Sequence, residues 1–234
     1  MEQSLLILAA ASVFFLVIHL GISGTKLRDG IVGAIGEGPY LGLFSVASLG
    51  GIVWLSMSYN AASLDYVETW GQLVNLHILA SVIMFFAFMI GVPGLLTPNP
   101  TSVGAEAILD QEEPVSGMTR ITRHPFLWGV FLWALSHLVV NGDLASLLMF
   151  GTFAVLTAFG TASIDAKRKR KLGDKWDAFA AKTSNIPFAA IVTGRNSLRL
   201  GEIGWWRLAI GLVAYLAVFG AHGWLFGVMP DIVR

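Results

Sequence analysis

Six apolar stretches, separated by polar and basic connections, organise this chain. They run approximately over Leu5–Ser23, Leu41–Tyr59, Gln72–Leu96, Phe126–Val140, Leu144–Ile164 and Leu208–Val228. At about 1.5 Å of rise per residue, each approaches the length that crosses roughly 30 Å of hydrocarbon. The pattern therefore predicts an all-α, polytopic membrane bundle of six transmembrane helices, forming one domain over residues 1–234. Asn141-Gly142-Asp143 leaves room only for a tight turn, which makes spans four and five antiparallel neighbours. Gly91, Pro93 and Gly94 predict a kink near the end of span three. Gly42, Gly50, Gly151 and Gly160 read as points of close helix packing.

Two connections are long. Thr97–Arg123 opens on Pro98-Asn99-Pro100 and carries Glu106, Asp110, Glu112 and Glu113, so it is a polar excursion. The basic segment 165–207 contains Leu172, Trp176, Phe179 and Ala180 at helical spacing. That stripe predicts a cytoplasmic amphipathic helix lying on the inner membrane surface. The alternative is a solvated cap packed on the bundle.

Composition supports the membrane reading and narrows the chemistry. Hydrophobic residues make up 55% of the chain and charged residues 13%. The charged share is about half that of ordinary soluble domains. Formal charge is zero, which argues against a nucleic-acid partner. With no cysteine, disulfides, thiolate haem ligation and cysteine nucleophiles are excluded. The first apolar run lacks a basic leader and a small-residue cleavage site, so it reads as a retained helix. Of 15 basic residues, 14 fall in the connections after spans one, three and five, and only Arg234 falls on the other side. The positive-inside rule then places both termini outside, which in a bacterial inner membrane means the periplasm.

The candidate chemistry lies on histidines. His19, His77 and His137 interrupt apolar spans, and His124 opens one. Ionisable side chains in hydrocarbon are rare and mark functional sites by default, and imidazole is the commonest metal ligand. Counted along helical rise from the basic markers, His19 lies roughly 10 Å from the inner surface and His137 roughly 21 Å from it. His77, seven residues after Trp70, falls about 10 Å below the outer surface, at a depth similar to His137. His222 also falls in the outer half. Each ring could make a single interhelical hydrogen bond as bundle glue. Three in separate spans, with no buried lysine or glutamate to pair with, point instead to a metal or haem held by neutral imidazoles. Zinc is disfavoured, because the carboxylates lie in loops. Depth matching pairs His77 with His137. Haem propionates need cations, which favours the inner side, where His19 and His124 lie with Arg120, Arg123, Arg195 and Arg199.

Arg123-His124-Pro125 admits two readings. Proline suits the first helical turn and basic residues mark the membrane edge. Alternatively, the free N–H groups of the helix start beside Arg120 and Arg123 would bind a phosphate or carboxylate.

The stretch Thr119-Arg120-Ile121-Thr122-Arg123-His124-Pro125, then Trp133, Ser136-His137 and Asn141-Gly142, resembles the NnrU family. Gly173-Asp174-Lys175-Trp176, Thr183-Ser184, Pro187-Phe188 and Gly194-Arg195 continue the likeness, as do His19, Ser23-Gly24, Leu27-Arg28 and Gly30. The family includes bacterial proteins linked to nitric oxide and denitrification, and plant-type zeta-carotene isomerases. The resemblance implies a haem b membrane protein with redox-dependent cis–trans isomerase chemistry on a lipophilic substrate, its axial ligands matching His19 and His137. The isomerases carry a cysteine three residues before the second histidine; this chain has Ala134, so their redox ligand switch is absent. His19, His77 and His137 together form the expected ligand set, His19 and His137 the catalytic pair.

Two other functions compete. A haem sensor or carrier in nitric oxide metabolism would bind without turnover. Arg123-His124-Pro125 with Gly129 is also similar to the isoprenylcysteine methyltransferase superfamily, which uses S-adenosylmethionine. That group usually has paired glutamates after its last catalytic helix, where only Asp165 stands here. The expected partners are membrane lipid and a lipophilic small molecule.

Overall fold

The structure, a computed structural model, describes residues 2–230. Arg234, the one basic residue expected on the outer side, lies outside the described residues. Every element among those residues is helical. Besides two 3-10 turns (Val74–Leu76 and Glu106–Asp110), they are α1 (Glu2–Leu16), a π-helical turn (Val17–Ser23), α2 (Lys26–Ile35), α3 (Glu37–Ser63), α4 (His77–Leu96), α5 (Met118–Ile121) and α6 (Pro125–Asn141). Then follow α7 (Leu144–Leu172), α8 (Asp174–Lys182), α9 (Ala189–Val192), α10 (Leu200–Ile203) and α11 (Trp205–Phe226).

Among the described residues five segments are long and apolar enough to cross a membrane: Gln3–Ser23, Glu37–Ser63, Val74–Leu96, Leu144–Leu172 and Trp205–Phe226. The apolar helix Pro125–Asn141 is shorter. The six expected spans thus each correspond to a helix, and the chain is a polytopic helical membrane protein. Large apolar side chains such as Val46, Met57 and Phe159 stand exposed along the spans. Such a surface is stable when its solvent is hydrocarbon.

The chain forms two compact units. The first comprises the chain up to Leu76 and Ala134–Ser163. Here α1 packs along α3, with Leu8, Ala11, Phe15 and Leu55 buried. The tight turn after α6 is present. Gly142 takes φ +62°, where a Cβ would overlap the Gly71 carbonyl. Its own carbonyl accepts from the amides of Thr69, Trp70 and Gly71 at 2.9, 3.2 and 3.1 Å, and from the Thr69 hydroxyl at 2.6 Å. Asp143 then caps α7, its Oδ1 accepting from the Ser146 amide at 2.9 Å.

The second unit comprises His77–Trp133 and the chain from Ile164 onward. In it α4 packs along α11. Pro93 sits inside α4 with Gly91 and Gly94 buried beside it. These glycines let backbones meet: a Cβ on Gly129 of α6 would lie 2.6 Å from the Gly91 Cα. By contrast, a Cβ on Gly42, Gly50, Gly151 or Gly160 would meet nothing within 4 Å, so these four make no close helix contact. Composition marks small residues but not the direction they face.

The amphipathic stripe of α8 also finds a different partner from the one expected. Trp176 and Phe179 are 2% and 1% exposed, packed with Val115 and against Leu109, Leu172 and Ala180. The stripe is therefore covered by the polar excursion, not by lipid. Arg168 ties that excursion down, bonding Glu106 at 2.5 Å and the carbonyls of Thr101 and Ser102 at 3.0 and 2.6 Å.

Candidate functional site

His19 lies in the π-helical turn that ends span one. Its Nδ1 is 2.8 Å from the Phe15 carbonyl. A carbonyl only accepts, so Nδ1 carries the proton and donates to it. That carbonyl is also the acceptor an α-helix would offer to the residue 19 amide, and the turn here is the wider, π-helical one. In the neutral ring Nε2 is then the lone-pair nitrogen, and it accepts from the Ser48 hydroxyl at 3.2 Å. Phe15 and Phe44 enclose the imidazole, their ring centroids 4.3 and 5.1 Å from it.

His137 belongs to the same unit, four residues before the end of α6. Its ring stacks on Phe150 of α7, centroids 4.7 Å apart. Phe153, one turn further along α7, lies 5.7 Å from Phe15. His19 and His137 thus each pack against phenylalanine rings within one unit.

The other expected ligands are placed differently. His77 belongs to the second unit and is the first residue of α4. Residues 71–73 are irregular and Val74–Leu76 form a 3-10 turn, so helical rise counted from Trp70 does not apply there. His77 opens the helix and does not interrupt it. His222 Nδ1 bonds the Val228 carbonyl at 2.7 Å. Among the described residues no three histidine, aspartate or glutamate side chains cluster as a metal site. A haem needs at most two protein ligands, so that observation bears on zinc-type centres only.

Arg123-His124-Pro125 starts α6, as proline at the first position predicts. His124 is 2% exposed and its Nε2 lies 2.8 Å from Asp165 Oδ1. Arg123 completes the cluster, with Nη2 and Nε at 2.5 and 3.3 Å from the Asp165 oxygens. Arg123 also donates to the Thr183 hydroxyl at 3.3 Å. Arg120, 6% exposed, forms a two-point pair with Glu202 at 2.7 and 3.1 Å. Hydrogen bonding from Arg120 outweighs desolvation and, with the Gly117 amide and Arg199, holds Glu202 at about 2. Both arginines therefore have their charge balanced by a carboxylate of the chain.

Sequence reading weighed Asp165 as the lone acid after span five, without its partners Arg123 and His124, and passed over Ser48. Asp165 carried a signal, as the sole acid within α7. Ser48, an ordinary residue of an apolar span, carried none.

Apolar spans, a polar excursion and buried charge pairs where span four begins define a multi-pass helical membrane protein. A family model described as "NnrU protein" matches residues 7–230, and the chain belongs to that family. It is 26% identical over 192 residues to "15-cis-zeta-carotene isomerase, chloroplastic" of Zea mays, covering 80% of this chain and 50% of the relative. It is 30% identical over 194 residues to the protein of the same name from Arabidopsis thaliana, covering 79% and 50%. The chain thus spans about half the length of the curated relatives it matches. No solved structure matches it.

Proposed function

We propose that this protein binds haem b through His19 and His137 and catalyses redox-dependent cis–trans isomerisation of a lipophilic polyene. The observation that carries the reading is the His19 hydrogen bond. With Nδ1–H held by the Phe15 carbonyl, Nε2 is the free-pair nitrogen, the state a metal-binding imidazole requires. His137 lies in the same unit, and the rings of Phe15, Phe44, Phe150 and Phe153 provide the apolar surface that a porphyrin or polyene needs. Two imidazoles in one unit are the donor chemistry that haem ligation uses, with Ser48 giving up Nε2. The names of the plant relatives supply the substrate class.

Haem would supply the one-electron chemistry that lowers the barrier to rotation about a double bond. The chain's own residues do the rest. Phe15 fixes the tautomer and orientation of His19. The aromatic rings exclude water and hold an extended apolar chain. Arg120 and Arg123, balanced by Glu202 and Asp165, serve the fold in this reading and leave the cofactor to the two histidines. His77 and His124 belong to the other unit and take no ligand role in this reading. The inner membrane, with both termini outside, is the setting the basic connections favour.

The test is the visible spectrum of detergent-purified protein from haem-replete cells, oxidised and reduced. A Soret band is expected, lost or shifted in His19→Ala and His137→Ala and unchanged in His77→Ala. Colourless wild-type protein would reject the proposal. A nitric-oxide-sensitive spectrum without turnover of any 15-cis polyene would assign the haem to sensing.

A further inference from the structure

A cavity of about 330 Å³ opens in the basic connection between α7 and α11, and the proposed chemistry does not use it. Its wall includes Arg123 and Arg195 together with Thr183, Ser184 and Asn185, and no acidic residue lines it. The charge of Arg123 is balanced by Asp165 behind the wall. That of Arg195 is not: its hydrogen bonds go to the Thr193 hydroxyl and to the carbonyls of Ala181 and Thr183. Among the described residues Arg195 has no acidic partner.

The wall is rigid. The Asn185 carbonyl accepts from the Thr122 hydroxyl at 2.5 Å and from the Trp128 indole at 2.8 Å. The Arg123 amide donates to the Ser184 carbonyl at 2.9 Å, and the Phe188 amide to the Ile121 carbonyl at 2.8 Å. Phe188 is held at φ +64°, the one non-glycine residue with positive φ among those described. Such strain persists only where the surroundings over-determine it, and it clusters at ligand clamps. Of the lining residues Ile186 is 64% exposed, and in the same chain segment Phe188 and Val192 are 44% and 82% exposed.

We propose that this pocket binds the anionic headgroup of a membrane amphiphile, its phosphate or carboxylate on Arg195 and its chains against Ile186, Phe188 and Val192. Charge complementarity selects the head, and the apolar rim selects a ligand with a tail. The pocket lies in a segment that joins two membrane spans, where such amphiphiles are the abundant anions.

The test is native mass spectrometry of the detergent-purified full chain, given phosphatidylglycerol or phosphatidylcholine at equal concentration. Preferential retention of phosphatidylglycerol is expected, reduced about tenfold by Arg195→Gln, the usual effect of removing a charge-assisted hydrogen bond. Arg195→Lys should retain part of the preference, and Val192→Asp should abolish it with Arg195 intact. Equal retention of the two lipids, or undiminished preference in Arg195→Gln, overturns the proposal. So does displacement by inorganic phosphate alone without lipid retention, which would assign the pocket to a soluble anion. These readouts need no haem, so they succeed or fail independently of the isomerase reading.

Discussion

Gly129→Ala and Gly151→Ala are the same chemical change within transmembrane helices, and the structure predicts opposite outcomes. A methyl on Gly129 would lie 2.6 Å from the Gly91 Cα, 2.8 Å from the Ala87 carbonyl oxygen and 2.9 Å from the Gly91 amide nitrogen. Carbon atoms rest about 3.5–4.0 Å apart, so α4 and α6 must separate by roughly 1 Å. All three obstructing atoms are backbone, and none can rotate away. Overpacking costs about 1–3 kcal/mol, against a helix-propensity gain of up to about 1 kcal/mol. With rigid obstacles the upper part of that range applies, giving a net loss of roughly 1–2 kcal/mol. At about 2–4 °C per kcal/mol for a chain of this size, Tm should fall by several degrees. Gly151→Ala meets nothing within 4 Å and keeps only the propensity gain, so Tm should hold or rise slightly. The eight tryptophans make intrinsic-fluorescence melting in detergent the natural assay. Equal shifts for the two variants, or a stable Gly129→Ala, would show that α4 and α6 do not meet at these glycines.

Three further outcomes follow from the buried charges and the α8 cap. Phe179→Ala should destabilise by about 3–4 kcal/mol, because its ring is 1% exposed against Val115 and Trp176; a neutral melt would return the stripe to the membrane surface. Asp165→Asn and Arg123→Gln should each destabilise by about 2–4 kcal/mol, since each strands a mostly buried partner. The double variant should lose less than the sum, and strict additivity in the cycle would show the pair is not coupled. Glu202, ordinarily near 4.5, is held at about 2 by hydrogen bonds led by that from Arg120. Glu106 also sits at about 2, where hydrogen bonds led by that from Lys171, then its own backbone and Arg168, overcome the opposing effect of burial. A depressed carboxylate contributes stability above its unfolded pKa and loses it as pH falls through the folded one. Melting temperature should therefore drop as pH falls from about 4.5 towards 2, less steeply in Glu202→Gln; identical slopes would dismiss the Arg120–Glu202 contribution.

The element pattern was legible in the sequence for a local reason. A membrane span must satisfy every backbone group within itself and present apolar side chains all round, and both requirements are written in consecutive residues. The turn at Gly142 and the proline start of α6 were equally local. What the charges do was less legible. Arg120 and Arg123 looked like an anion site because their partners, Glu202 and Asp165, lie 82 and 42 residues away.

By itself, then, the sequence determined the six helices, their membrane character, the family and the identity of the histidines. Only the tertiary structure decided which glycines meet a backbone, that the α8 stripe is covered by residues 109–115, and that His19 and His137 share a unit in which His77 has no part. Those choices depend on which faces close against each other. A composition of glycine and phenylalanine repeated through every span cannot mark a face; contact between distant segments can.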